Sequence, residues 1–205
     1  GRYYMNREIA TVMSHIDAGK LDRPERETKE RTDLLIELLP IRGAMAIADI
    51  GAGSGYFTLR LARQFPDATI LAVDIQAEFL DIIDERAKTE ALENIELILG
   101  NDQRAGLQAG SADLILLVDS YHEFEWPRES MLDLRAALKP GGKIVIVEQR
   151  AEDSGNPLVA AHKMFADQIV AEMQAVELYP AGSSDQLPEQ HFLLFSLGEA
   201  ENGTR

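Results

Sequence analysis

The chain has 205 residues with 35 acidic and 20 basic side chains, a formal net charge of -15 and no cysteine, and 45% of its residues are hydrophobic. Zero cysteines exclude a disulfide framework, Cys-ligated zinc, iron–sulfur clusters and any thiol nucleophile, and the apolar and charged fractions are those of a globular chain long enough to bury its own core. Residues 1–32 hold 7 Lys/Arg against 6 Asp/Glu, so the rest of the chain carries a net of -16, which argues against nucleic acid and anionic membrane surfaces as partners.

In chain order, residues 1–21 are mixed, with Tyr3 and Tyr4 near the start and a loosely helical stretch from Arg7 to Ile16. Asp22-Arg-Pro-Glu25 predicts a helix start, because Asp22 can cap, Pro24 suits the first turn and Glu25 stands three residues after Asp22 as in a capping box. Leu34, Leu35, Leu38 and Leu39 give a 3.6-residue stripe that Pro40 ends. The run Arg23–Arg31 reads as a solvated helix face with i,i+4 pairs. Beyond Pro40, short apolar runs at Met45–Ile50, Thr69–Ile75, Ile95–Leu99, Asp113–Val118 and Lys143–Val147 alternate with helical patterns at Tyr56–Gln64, Ala77–Thr89 and Glu129–Leu138. Continuous rather than alternating apolar runs are what strands buried on both faces need. With helices between them they predict right-handed crossovers and a parallel, doubly wound α/β sheet. A polar loop over Ala151–Ala160 and a helix over Ala166–Val176 follow, and two strands at Glu177–Ser183 and His191–Leu197 predict an antiparallel hairpin closing the sheet. The expected organisation is an N-terminal helical extension over 1–40, an α/β domain over 41–198 and a short tail over 199–205. No apolar run reaches the ~18 residues of a membrane span, and no signal peptide is visible. A cytoplasmic location is therefore expected, although a first residue Gly1 leaves a removed leader open.

The most informative stretch is Ala48-Asp49-Ile50-Gly51-Ala52-Gly53-Ser54-Gly55-Tyr56, which follows a strand and opens a helix. Glycine lets the backbone turn sharply and approach a ligand closely, and the ligand then lies beyond the carboxyl end of the strand at the switch point of the sheet. A nicotinamide site would place its third glycine where Tyr56 stands, and a P-loop would need Gly-Lys-Ser/Thr after four residues intervening from Gly51. Neither is present. A nicotinamide-dependent oxidoreductase and a non-catalytic cofactor-binding module on the same fold remain the rival readings.

The stretch Ala48–Ala62 resembles the first motif of the class I S-adenosylmethionine-dependent methyltransferases. Val73-Asp74-Ile75 looks like their second motif, Gly100-Asn101-Asp102 like the loop after the third strand, Ala112–Asp119 like the fourth motif, and Lys139-Pro-Gly-Gly-Lys143 with Ile144–Glu148 like the entry to the fifth strand. The resemblance covers about residues 46–150 in order. It implies a mostly parallel seven-stranded sheet with an antiparallel C-terminal hairpin, and S-adenosylmethionine as cofactor. It further implies that Asp74 accepts the ribose hydroxyls, that Ile75 packs on the adenine, and that Asn101 or Asp102 meets the adenine amino group. Asp49, Gly51, Ala52, Gly53, Gly55, Tyr56 and Asp119 would surround the methionine part.

The segment Asp119–Pro127 follows the fourth strand and faces the same crevice. His122 is the preferred base or substrate-orienting group, with Tyr121 and Glu123 next, and Trp126, Glu148 and Arg150 open onto the crevice. Capping or packing by His122, and a solvated Arg150, are the plain alternatives. A metal site from His122, Glu123 and His162 or His191 has no ligand-spacing signature, so none is expected. Tyr3 and Tyr4 are candidates for an N-terminal lid. The absence of an Asn/Asp-Pro-Pro-Tyr motif at Asp119–His122, the missing cysteines and the acidity leave a small-molecule acceptor as the expected substrate.

Overall fold

The computed structural model describes residues 1–153, 155 and 158–198, so the expected tail over 199–205 lies outside the described residues. The chain begins with a two-stranded hairpin, β1 (Tyr3–Tyr4) and β2 (Arg7–Glu8), followed by a 3-10 turn over His15–Lys20 and two short helices, α1 (Glu25–Glu30) and α2 (Thr32–Leu38). Strands and helices then alternate: β3 (Ala46–Ile50), α3 (Tyr56–Gln64), β4 (Thr69–Asp74), α4 (Ala77–Thr89), β5 (Ile95–Leu99), β6 (Ala112–Val118), α5 (Pro127–Ala137), β7 (Leu138–Gln149), α6 (Ala166–Gln174), β8 (Leu178–Ser184) and β9 (Gln190–Leu197).

The main sheet has the order β5-β4-β3-β6-β7-β9-β8. Pairing is parallel from β5 through β7, and antiparallel where β9 pairs β7 and β8. This is the expected doubly wound architecture with its closing hairpin. The central strands are apolar because both faces are covered. Ile115, Leu117, Ile144 and Ile146 pack with Met131 and Leu134 of α5 and Ile169 and Met173 of α6, while Leu114, Leu116, Val145 and Val147 pack with Leu35 of α2 and Phe57 and Leu61 of α3. The edge strand β5 reads Ile-Glu-Leu-Ile-Leu and is half exposed, as one uncovered face permits.

The N-terminal expectations fail in detail. Arg7–Ser14 is not helical, and only His15 and Ile16 enter a 3-10 turn: Met5 and Asn6 turn the hairpin at φ 46° and 71°, and Arg7 is drawn to Glu172 of α6, with N···O distances of 2.9 and 3.1 Å. Asp22 does not cap a helix. Its carboxylate instead accepts from Ser54 Oγ and Arg86 NH2, both at 2.8 Å. The expected single helix breaks at Arg31, which adopts a left-handed conformation (φ 51°) between α1 and α2. Nor is the Arg23–Arg31 face fully solvated, since Arg26 and Glu30 are buried and paired at 2.7 Å. At the other end, β7 starts five residues earlier than expected because Leu138 already pairs Ala112; the ladder then skips to Leu114↔Lys143 around the Pro-Gly-Gly turn. Among the described residues no helix is long and apolar enough to cross a membrane.

Candidate active site

The sheet order reverses between β3 and β6, and a cavity of about 360 Å³ opens beyond the carboxyl ends of those strands and of β4. Its floor is the glycine loop. Gly51, Gly53 and Gly55 all have positive φ, at 70°, 54° and 81°. A Cβ on Gly51 would lie 2.8 Å from Ser120 Cβ, and one on Gly53 2.7 Å from Leu21. Glycine thus lets the loop pass between the β6 end and the N-terminal segment. Gly55 does not line the cavity; a Cβ there would meet Ile83 of α4 at 2.8 Å, so its task is close packing of the helix that Tyr56 opens.

Three carboxylates stand in the cavity wall. Asp74 accepts from the Gly53 amide and from the Gln76 amide, both at 2.9 Å, and burial raises its pKa. Asp49 accepts from Thr58 Oγ1 at 2.6 Å, and burial lifts it to about 6. Asp119, at φ 48°, accepts from Gln190 Nε2 at 2.8 Å, while its buried Oδ1 has no partner. Burial, with the charges of Glu30 and Glu148, lifts Asp119 to about 6. A buried carboxylate oxygen with no donor has lost its hydration without compensation, and a cation in the cavity would supply that compensation. The three carboxylates therefore fit a cationic sulfonium compound with an ammonium group, although Arg23, Arg26 and Arg104 also line the cavity. Ala52, Tyr56 and Ile75 also line the cavity, with Ile75 45% exposed at the rim. Asn101 and Asp102 both reach it, but each is engaged: Asn101 Oδ1 accepts from the Gln103 and Arg104 amides, and Asp102 Oδ2 from Trp126 Nε1 at 3.0 Å.

The far end of the cavity holds His122, Glu123 and His162. His122 Nδ1 lies 2.6 Å from the fully buried Glu148, and its Nε2 lies 3.1 Å from His162 Nδ1. Burial alone would lower the His122 pKa, but the Glu148 carboxylate overrides it and raises it to about 9. The Glu148 carboxylate thus favours the protonated form of His122. Burial, and after it the charge on His122, lower the His162 pKa. Burial raises the Glu123 carboxyl, whose Oε2 accepts from the Met13 amide at 3.2 Å.

Other expectations are displaced. Tyr121 is fully buried outside the cavity lining and donates to Glu172 at 2.6 Å beneath Arg7, because its place in the turn after β6 points it toward α6. Arg150 donates to the carbonyls of Gln190 and Leu187 and does not reach the cavity. Glu148 acts from beneath, through His122, and His191 is held apart by Glu152 at 2.9 Å. Trp126 and the tyrosines Tyr3 and Tyr4 are likewise outside the lining. The N-terminal contribution comes instead from Val12, Met13, Leu21, Arg23 and Arg26, which sequence reasoning missed. The signal was the Arg26/Glu30 spacing, but spacing does not say that Arg26 stacks over Tyr56, 4.4 Å from the ring centre, rather than facing water.

A family model described as a methyltransferase domain matches residues 47–142. The chain is 28% identical over 140 residues to a malonyl-[acyl-carrier protein] O-methyltransferase of Halalkalibacterium halodurans, covering 67% of this chain and 46% of that protein. It is 25% identical over 159 residues to a tRNA U34 carboxymethyltransferase of Desulfotalea psychrophila, covering 78% and 48%. The chain thus spans about half the length of these curated relatives. A solved structure of a SAM-dependent methyltransferase from Aquifex aeolicus superposes with a TM-score of 0.83 at 16% identity, over 90% of this chain and 98% of that one, which places the fold. The glycine loop, the order of the sheet and these comparisons make residues 47–142 similar to a methyltransferase domain, on a fold shared with a SAM-dependent methyltransferase.

Proposed function

We propose that this chain transfers the methyl group of S-adenosylmethionine to a small-molecule acceptor held at the His122 end of the cavity. The observation that carries this reading is continuity: one cavity joins the glycine loop and Asp74 to His122, Glu123 and His162, and Val12, Met13 and Leu21 wall it from the N-terminal side. A walled cavity of this size suits a small ligand. The net charge of -15 supports the same choice over a nucleic acid.

When bound, the cofactor supplies an electrophilic methyl group, and the chain supplies binding, alignment and exclusion of water. Asp74 is placed to take two hydroxyls, its position fixed by the Gly53 and Gln76 amides. Asp49 and Asp119 would supply negative charge to the cationic part, and Ile75 would offer an apolar face at the rim. At the acceptor end, His122 is held rigidly through Glu148 and Glu123 through the Met13 amide.

The test is product formation. Incubation with S-adenosylmethionine and a panel of hydroxyl, amine and thiol acceptors, read as S-adenosylhomocysteine by mass spectrometry, should give turnover with members of the panel. Turnover with tRNA or an acyl-carrier protein and with no small molecule would overturn the acceptor class.

A further inference from the structure

We propose that His122, Glu123 and His162 form a site for one divalent transition-metal ion, of the zinc and iron(II) class, at the acceptor end of the cavity. Among the described residues this is the one group of three His, Asp or Glu side chains whose ligand atoms all lie within 4.8 Å of one another. His122 Nε2 is 3.1 Å from His162 Nδ1 and 3.9 Å from Glu123 Oε1. Ligands at metal bonds of about 2.0–2.2 Å in a tetrahedron stand roughly 3.3 Å apart, so an ion between these atoms needs only small side-chain adjustments.

The surroundings point the same way. A metal-binding histidine usually gives its second ring N–H to a carboxylate, which fixes the tautomer and aims the free nitrogen. Glu148, fully buried, holds His122 Nδ1 in this manner at 2.6 Å and leaves Nε2 for the ion. Glu123 is held by its other oxygen, which accepts from the Met13 amide at 3.2 Å, so Oε1 remains for the ion. Two imidazoles and one carboxylate suit zinc or iron(II) and not calcium or magnesium, which take oxygen ligands.

Three protein ligands are also fewer than a closed structural site uses. All three residues line the cavity, so the remaining coordination positions face it. The site would take an oxygen, nitrogen or sulfur donor of the methyl acceptor. No ligand spacing marks this site in the chain because His162 arrives from the segment before α6, forty residues after His122. The site stands independently of the small-molecule reading, since metal binding needs no acceptor.

The test uses the full chain stripped with a chelator and titrated with Co²⁺, followed by calorimetry and by visible d–d absorption. One ion per chain with a low-symmetry cobalt spectrum is expected. His162→Ala, at a partly exposed position that unfolding should not follow, should remove the spectrum, with circular dichroism confirming the fold. Glu123→Gln should weaken binding, and Glu148→Gln should weaken it by about 10–100-fold while leaving the three ligands in place. His191→Ala should change nothing. Absence of stoichiometric binding, or binding that His162→Ala and Glu123→Gln both leave unchanged, would overturn the site.

Discussion

Asp74 shows how one side chain can serve both the loop and the ligand. It organises the Gly53 and Gln76 amides and still borders the cavity. Each charge-assisted bond to such a carboxylate is worth about 1.5–3 kcal/mol, so Asp74→Ala should weaken S-adenosylmethionine binding by roughly 100-fold or more in a calorimetric titration; unchanged affinity would sink its assignment. Asp49 and Asp119 make a separate prediction because both titrate near pH 6. A cationic ligand favours their ionised forms, so affinity is full above about pH 7 and is lost as protonation sets in below 6. Between pH 7 and pH 5 it should fall by roughly ten- to hundred-fold, and a flat profile would show that neither carboxylate faces the bound charge. Tyr121 is the contrasting case. Tyr121→Phe removes a buried hydroxyl from Glu172, which keeps Arg7 and Gln168, and should cost about 1 kcal/mol of stability. Denaturant melts would read that cost, and methyl transfer should persist.

Among the elements, the parallel strands and the glycine loop were legible because their causes are local. A strand buried on both faces must be apolar throughout, and a backbone held at positive φ in a crowded turn favours glycine. Gly55→Ala should therefore cost about 2–4 kcal/mol, combining a left-handed Cβ with intrusion on the fully buried Ile83. Chemical denaturation would measure it, and a neutral result would mean that α4 can shift. The N-terminal elements were not legible because their causes are distant. The break between α1 and α2 rests on Arg31 in a conformation that its sequence does not advertise, and the hairpin turns on Met5 rather than on glycine. The inward turn of Arg26, the withdrawal of Tyr121 and the approach of His162 to His122 depend on partners 30 to 50 or so positions away or on rings packed in three dimensions.

At the scale of the whole molecule, the acidity divides into three populations. Asp49, Asp74 and Asp119 gather at strand ends around one cavity, Glu30, Glu148 and Glu172 are buried elsewhere, and most of the others give the surface its excess of negative charge. Self-repulsion of a chain at -15 is screened by salt. Raising ionic strength from low values to about 0.15 M should therefore raise the melting temperature in a thermal-shift scan, and a fall would mean that surface ion pairs outweigh the repulsion.

The N-terminal wall has a kinetic consequence. Met13 and His15 are tied to Gln76 by bonds of 2.7 and 3.0 Å, and Met13 is also tied to Glu123. If a ligand seated behind this segment leaves past it, those few hydrogen bonds must open together, and its residence time then follows a local opening rate. Slowed hydrogen–deuterium exchange at the Met13 and His15 amides on adding S-adenosylhomocysteine would record that gate closing.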